Sequence, residues 1–131
     1  MTTPSARDRL GQARRALLRI HSALLDEERI RYERQHGRID GSGTLLQLVI
    51  HDPWFAWLRP ISALIVQIDE LLDQDKPVLS EMVEPLLAQA RHSLRPDEAG
   101  DDFQQRYHQL LQEVPAVAVT HAETRALLKD L

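Results

Sequence analysis

Apolar residues recur at intervals of three and four along most of the chain, and glycine and proline separate these stretches. Strict alternation of apolar and polar residues, which is typical of strands, is missing. The pattern predicts an all-α fold, an up-and-down helical bundle of four to five helices. At 131 residues, the chain has a typical length for one domain, so we expect residues 1–131 to form a single helical-bundle domain.

The bundle should be built on a long antiparallel helical hairpin. The first helix is predicted over about residues 5–35, where one apolar stripe repeats at helical spacing: Leu10, Ala13, Leu17, Ile20 and Leu24. Gly37 favours its end. The second helix is predicted over about residues 44–74, capped by Thr44 with Gln47 in a capping box. The short intervening loop makes the two helices antiparallel neighbours.

Two prolines interrupt the second helix. Pro53 and Pro60 each remove a backbone donor and crowd the preceding turn, so we expect a bend or a break near Asp52. Asp52 followed by Pro53 is also typical of a new N-cap and first helical position.

Shorter helices should follow. One is predicted over about residues 79–94 and another over about residues 101–114, where Asp101 and Gln104 form an opening capping box. For the first of these, the predicted inner face is Leu79, Met82, Leu86 and Ala90. Thr120 and Glu123 predict the start of a terminal helix, and residues 115–119 fit either an extended or a helical segment.

Charge is unevenly distributed. Residues 1–38 contain nine arginines and five acids, whereas residues 39–131 carry seven basic and fifteen acidic residues. We favour mutual neutralisation of the two segments across the fold; the alternative is a basic face for an acidic partner. With a net charge of −4 and without an aromatic RNA platform or a helix-turn-helix signature, no nucleic-acid partner is expected.

The composition of the chain excludes further functions. Cysteine is absent, which excludes disulfides and thiolate catalysis. No uninterrupted apolar run is long enough to span a membrane, and the N-terminal residues lack the apolar core of a secretory signal. The expected location is therefore cytoplasmic.

The densest group of candidate binding residues lies between the two prolines and around them: His51, Asp52, Trp54, Trp57 and Arg59. Successive helical residues diverge by about 100°, so Trp54, Phe55 and Trp57 cannot all face one core. We favour a central helix buried on most sides. A dimer or partner interface and a ligand pocket are the alternatives.

Charged residues that lie among apolar residues in the sequence indicate a second group of candidate binding residues. Arg59 and Asp69 need partners if buried, and Glu28 is the predicted partner of Arg59. Tyr32 lies one helical turn from Glu28 and from His36. We favour a structural ion pair with a hydrogen-bonded tyrosine over the alternative, a polar pocket between the first two helices.

Metal binding is a weaker alternative. A bundle could bring together ligands such as His21, Glu28, His51 and His92. The spacing Glu-x-x-His occurs once, at Glu33 and His36 beside Gly37, a poor place for a buried centre. Neither a glycine-rich phosphate loop nor a nucleophile elbow is present, so we expect no cofactor, and catalysis is less favoured than binding.

Two segments, EERIRYERQHGRI (27–39) and GTLLQLVIHDPWFAWLRPISALIVQIDE (43–70), carry a family resemblance. The chain resembles a group of small uncharacterised bacterial helical proteins with similar YER and DPWFAWLRP segments. The resemblance implies a bacterial helical bundle and transfers no activity. The bundle plan is also loosely similar to hemerythrin-type and ferritin-type folds, whose ligand spacings are missing here.

Together these patterns favour a non-catalytic binding or assembly module with a protein partner or a homodimer, or with a small ligand. The alternative is a metal-binding or small-ligand-binding bundle, with catalysis left open, that has a polar site between the first two helices.

Overall fold

A computed structural model describes residues 4–131, which form six α-helices, one 3-10 helix and, within that range, no strand. The helices are α1 (Ala6–His36), α2 (Gly41–His51), the 3-10 helix (Pro53–Leu58), α3 (Arg59–Asp73), α4 (Ser80–Ser93), α5 (Asp102–Glu113) and α6 (Pro115–Lys129). The predicted all-α bundle is confirmed. Residues 1–3 of the predicted domain lie outside the described residues.

The first helix, α1, is the central rod of the bundle, as its apolar stripe predicted. It has 31 residues and begins at Ser5, whose side chain accepts a hydrogen bond from the backbone N–H of Asp8. The whole predicted stripe is buried: Leu10, Ala13, Leu17, Ile20 and Leu24. Helices α3, α4 and α6 pack against it. At 1.5 Å per residue, the rod is about 46 Å long.

The second long helical segment, predicted over about residues 44–74 with a bend or a break near Asp52, is broken. The break lies at Asp52, where it was expected: its backbone is extended, and its side chain accepts a hydrogen bond of 2.8 Å from the backbone N–H of Trp54. Pro53 then opens the 3-10 helix. The first part, α2, begins at Gly41 with Asp40 as its N-cap, so Thr44 is not the cap.

Only the later part of this segment forms the hairpin with α1. Contacts between α1 and α3 run in opposite chain directions, from Arg7 with Leu72 to His21 with Ser62. Helix α2 packs instead against the 3-10 helix. None of its eleven residues is buried. The antiparallel hairpin is therefore real but shorter than predicted.

The capping box at Asp101 and Gln104 is confirmed at the start of α5. Helix α6, in contrast, begins at Pro115 and passes through the segment that the sequence left open, so a start at Thr120 is wrong. The hydroxyl of Thr120 donates within the helix to the carbonyl oxygen of Ala116. Helix α4 buries Val83, Leu87 and Ala90; of its predicted inner face, Leu79 and Met82 are exposed.

The arginines of α1 meet acidic residues on four other helices. The ion pairs are Arg14–Asp69 on α3, Arg9–Glu84 on α4, Arg31–Glu113 on α5 and Arg19–Glu123 on α6. This supports the favoured interpretation that the basic and acidic segments neutralise each other across the fold. The acid of each pair is exposed, and pairs of this kind contribute about 0–1 kcal/mol.

No helix within the described range is long and apolar enough to cross a membrane.

Candidate ligand-binding groove at Glu28 and Trp54

A polar groove opens where α1, the 3-10 helix and α5 meet. Its volume is about 600 Å³, and its lining residues are Glu28, Arg31, Arg34, Gln35, Pro53, Trp54 and Arg106. A smaller cavity of about 150 Å³ shares Glu28, Arg31 and Arg106 with it and extends towards Trp57. We refer to both together as the Glu28 groove. Its size falls in the range of small-molecule sites.

Glu28 is the polar centre of this groove. Only 8% of the residue is exposed, its carboxylate forms no ion pair with a described residue, and the indole N–H of Trp54 is the donor beside it. Burial raises the pKa of this carboxyl above its usual value, and Arg31, Trp54 and Arg106 only partly oppose that shift. A buried acid with a raised pKa in a cleft is typical of functional sites.

Trp54 places its indole N–H beside this carboxylate. The Asp52 cap fixes the start of the 3-10 helix, and the indole ring packs edge-on against Tyr32 and His36, at 5.7 Å between centroids in both pairs. The indole Nε1 is buried and makes no well-aligned hydrogen bond in the described part of the chain. It is nonetheless close enough to Glu28 to favour the ionised carboxylate. Native structures seldom leave a buried donor unpaired.

Three arginines surround the mouth of the groove. Arg31 is held in place by Glu27 on the same helix and by Glu113 on α5. Arg106 donates one hydrogen bond of 3.3 Å from Nε to Asp102, and its terminal nitrogens are unoccupied among the described contacts. Arg34 makes no hydrogen bond or ion pair with residues 4–131. These guanidinium groups provide donors for an anionic group.

The structure brings together four of the predicted site residues. Glu28, Trp54 and Trp57 line the groove, and Tyr32 supports Trp54 from behind. Trp57 is buried and packs against Phe103 of α5, at 5.4 Å between ring centroids. The polar pocket that the sequence offered as an alternative therefore exists, although the 3-10 helix and α5 form it together with α1.

The prediction that Arg59 pairs with Glu28 is wrong. Arg59 is exposed and donates to the carbonyl oxygen of Ile50 at 3.0 Å, because the break at Asp52 turns it back towards α2. Asp69 pairs with Arg14 along the α1–α3 contact instead of entering the groove.

The other two predicted residues have local roles. Asp52 is the cap of the 3-10 helix, and His51 is exposed beside it, next to a shallow depression at the end of α2.

The alternative metal ligands are not brought together. Burial lowers the pKa of His21, whose Nε2 lies 2.9 Å from the hydroxyl oxygen of Ser62. His92 is exposed at the end of α4, and His51 is exposed at the end of α2. Among residues 4–131, no group of three or more histidine, aspartate or glutamate side chains could hold a metal ion.

Sequence reasoning missed the three arginines of the groove. Arg31 follows Glu28 at the spacing of one helical turn, so its position could have indicated a shared face. Arg106 has no such signal, because its place depends on how α5 docks beside α1.

Neither a family model, nor a curated protein, nor a solved structure matches the chain.

Proposed function

We propose that this protein is a non-catalytic binding protein whose Glu28 groove takes a small zwitterionic molecule. One observation carries the proposal: a carboxylate on a residue that is only 8% exposed lies beside the buried indole N–H of Trp54 in a groove, and it forms no ion pair with a described residue. Leaving a buried polar group unpaired costs about 1–3 kcal/mol, which a ligand with matching groups would recover.

The groups in the groove specify the chemistry of that ligand. Arg34 and Arg106 suit a carboxylate, and the Trp54 N–H adds a further donor to it. Glu28 suits a cationic or hydrogen-bond-donating group of the ligand, whose charge would favour the ionised carboxylate. An amino acid combines both groups in one small molecule.

The residues that line the Glu28 groove favour binding over catalysis. Its lining contains one carboxylate and no serine, cysteine or histidine, so it offers no pair of nucleophile and base. The polar groups instead form a set of donors around a single acceptor.

Trp54 provides a direct test. In the variant Trp57→Phe, Trp54 is the remaining indole, and its fluorescence should change when the protein is titrated with amino acids from each side-chain class. We expect at least one amino acid to bind, and Arg34→Gln or Glu28→Gln to weaken it about tenfold or more. Arg59→Gln, which removes a like charge outside the groove, is the matched control. If no amino acid changes the Trp54 signal, the proposal is wrong.

Self-association through α2 is a second candidate function. The eleven residues of α2 carry no acidic, lysine or arginine side chain, and Leu46 and Ile50 are 56% and 48% exposed. A second copy could cover this face without bringing like charges together. Light scattering should then show a dimer that Leu46→Gln with Ile50→Gln converts to a monomer; a monomeric wild-type protein would contradict it.

The bacterial cytoplasm stays the proposed setting, together with membership of the small bacterial group that the YER and DPWFAWLRP segments resemble. Both rest on sequence features alone, and cell fractionation with an antibody to the protein would test the location.

A further inference from the structure

A second groove lies on a different part of the bundle, between the C-terminal halves of α4 and α6. Its volume is about 700 Å³. Four permanently charged cations line it: Arg91 and Arg95 from α4 and the loop after it, and Arg125 and Lys129 from α6. We refer to it as the basic groove.

The cations of the basic groove lack the acidic partners that the arginines of α1 have. No acidic residue lines the groove, and within residues 4–131 its four cations form no ion pair. A concentration of unneutralised positive charge is unexpected in a chain whose net charge is −4.

Helix dipoles explain only part of this charge. Arg91 and Lys129 lie in the last turns of their helices, where cations are favourable, and Arg91 Nε donates to the carbonyl oxygen of Leu128 at 3.1 Å. Each helix C-terminus carries roughly half a negative elementary charge, so two termini offset about one of the four positive charges. Arg95 and Arg125 lie outside the last turns, and the groove keeps an excess of about three charges.

The floor of the basic groove is apolar. Leu94 and Leu128 are buried side chains that reach its lining. A ligand that fills the groove would therefore place an uncharged, partly apolar portion on these residues and its anionic groups among the cations.

We propose that the basic groove binds an organic polyphosphate of the nucleoside triphosphate class. Its three to four negative charges match the excess positive charge, and its base and sugar supply the uncharged portion that would lie on the apolar floor. The proposal concerns a site separate from the Glu28 groove and does not depend on the ligand proposed there.

The test uses the full chain with ATP, sodium tripolyphosphate and adenosine as probes, measured by isothermal titration calorimetry. We expect ATP to bind more tightly than tripolyphosphate, adenosine to bind weakly, and the affinity for ATP to fall steeply between about 50 and about 500 mM salt. Arg125→Gln with Lys129→Gln should weaken ATP binding about tenfold or more.

Two control variants keep the proposal falsifiable. Arg59→Gln with Lys76→Gln removes the same charge outside both grooves, and Arg34→Gln with Arg106→Gln removes it from the Glu28 groove. Both should leave ATP binding within about twofold of wild type. The proposal is overturned if ATP does not bind at about 1 mM in low salt, or if either control weakens binding as much as the basic-groove variant. Circular dichroism would confirm that each variant is folded.

Discussion

The Glu28 groove and the basic groove hold their polar groups in opposite ways. In the Glu28 groove, a mostly buried carboxylate lies beside a buried indole N–H and forms no ion pair with a described residue. In the basic groove, the four cations are exposed side chains above an apolar floor. The first arrangement opposes folding, since desolvated polar groups lose their water, whereas the second has little effect on stability.

This difference predicts different consequences of substitution. Removing a buried, unpaired charge should stabilise the fold while it removes ligand recognition. Removing an exposed cation should leave the free energy of unfolding unchanged. It should lower the affinity for an anionic ligand, and this loss should become smaller as the salt concentration rises. A gain of stability with a loss of binding therefore distinguishes the first kind of site from the second.

Glu28 in the first groove and His121, a partly buried residue of α6, make stability depend on pH with opposite sign. Burial raises the pKa of Glu28, so the folded state binds its proton more tightly than the unfolded state, and stability falls as the pH rises through the folded pKa. Near the basic groove, burial and Arg125 lower the pKa of His121. Its contribution to stability is present above the unfolded pKa and is lost as the pH falls through the folded value.

The largest effect is expected at Phe55, which is fully buried in the 3-10 helix and packs against Tyr32 with 5.6 Å between ring centroids. Phe55→Ala should lower the free energy of unfolding by about 3–5 kcal/mol in urea titrations. Under conditions where the variant is still folded, amino-acid binding should be lost and ATP binding retained. Equal loss of both would show that the two grooves are not independent.

A smaller effect is expected at His121. Burial raises the pKa of Tyr107, and its hydroxyl oxygen lies 2.5 Å from His121 Nδ1, within hydrogen-bond distance. His121→Ala should lower stability by about 1–2 kcal/mol at about pH 8, because the phenol loses its partner. At about pH 5, the difference from wild type should shrink, because the lowered pKa of His121 means that the folded state binds its proton less tightly than the unfolded state. A difference that grows on acidification would contradict the assignment.

The basic groove should contribute almost nothing to folding. We expect Arg125→Gln with Lys129→Gln to change the free energy of unfolding by no more than about 0.5 kcal/mol, because both side chains are exposed and form no ion pair with described residues. A loss of more than about 1 kcal/mol would mean that these cations are structural helix caps.

The smallest effect is expected at the paired arginines of α1. Arg19→Gln removes the exposed ion pair with Glu123 and should lower stability by about 0.2–0.5 kcal/mol at low salt, and by less at high salt. A salt-independent loss of more than about 1 kcal/mol would contradict the view that these pairs mainly neutralise charge.

Local signals in the sequence were sufficient for much of the fold. The stripe from Leu10 to Leu24 and the capping box at Asp101 were identified correctly, since each depends on residues within a few turns. The face of α4 was misassigned because two apolar stripes overlap there, and packing against α1 and α3 selects Val83 and Leu87. Thr120 has the sequence of a cap, yet Pro115 starts the helix earlier.

The candidate site could be predicted only in part. Glu28 and Tyr32 share a face of α1, and Trp54 stood out among the aromatic residues, so their importance was visible. The pairing of Glu28 with Arg59 could not be tested from spacing alone, because the geometry of the break at Asp52 directs Arg59 to the carbonyl oxygen of Ile50. Arg106 comes from a helix far along the chain, whose docking no local pattern encodes.

The most direct test of the central claim is the stability of Glu28→Gln relative to wild type, measured by urea unfolding at neutral pH and at about pH 4. We predict that the variant is more stable at neutral pH by up to about 1 kcal/mol, that the difference disappears at the lower pH, and that amino-acid binding is lost. A variant that is less stable than wild type at neutral pH would show that Glu28 is a structural ion pair, and that the groove is not a site kept for a ligand.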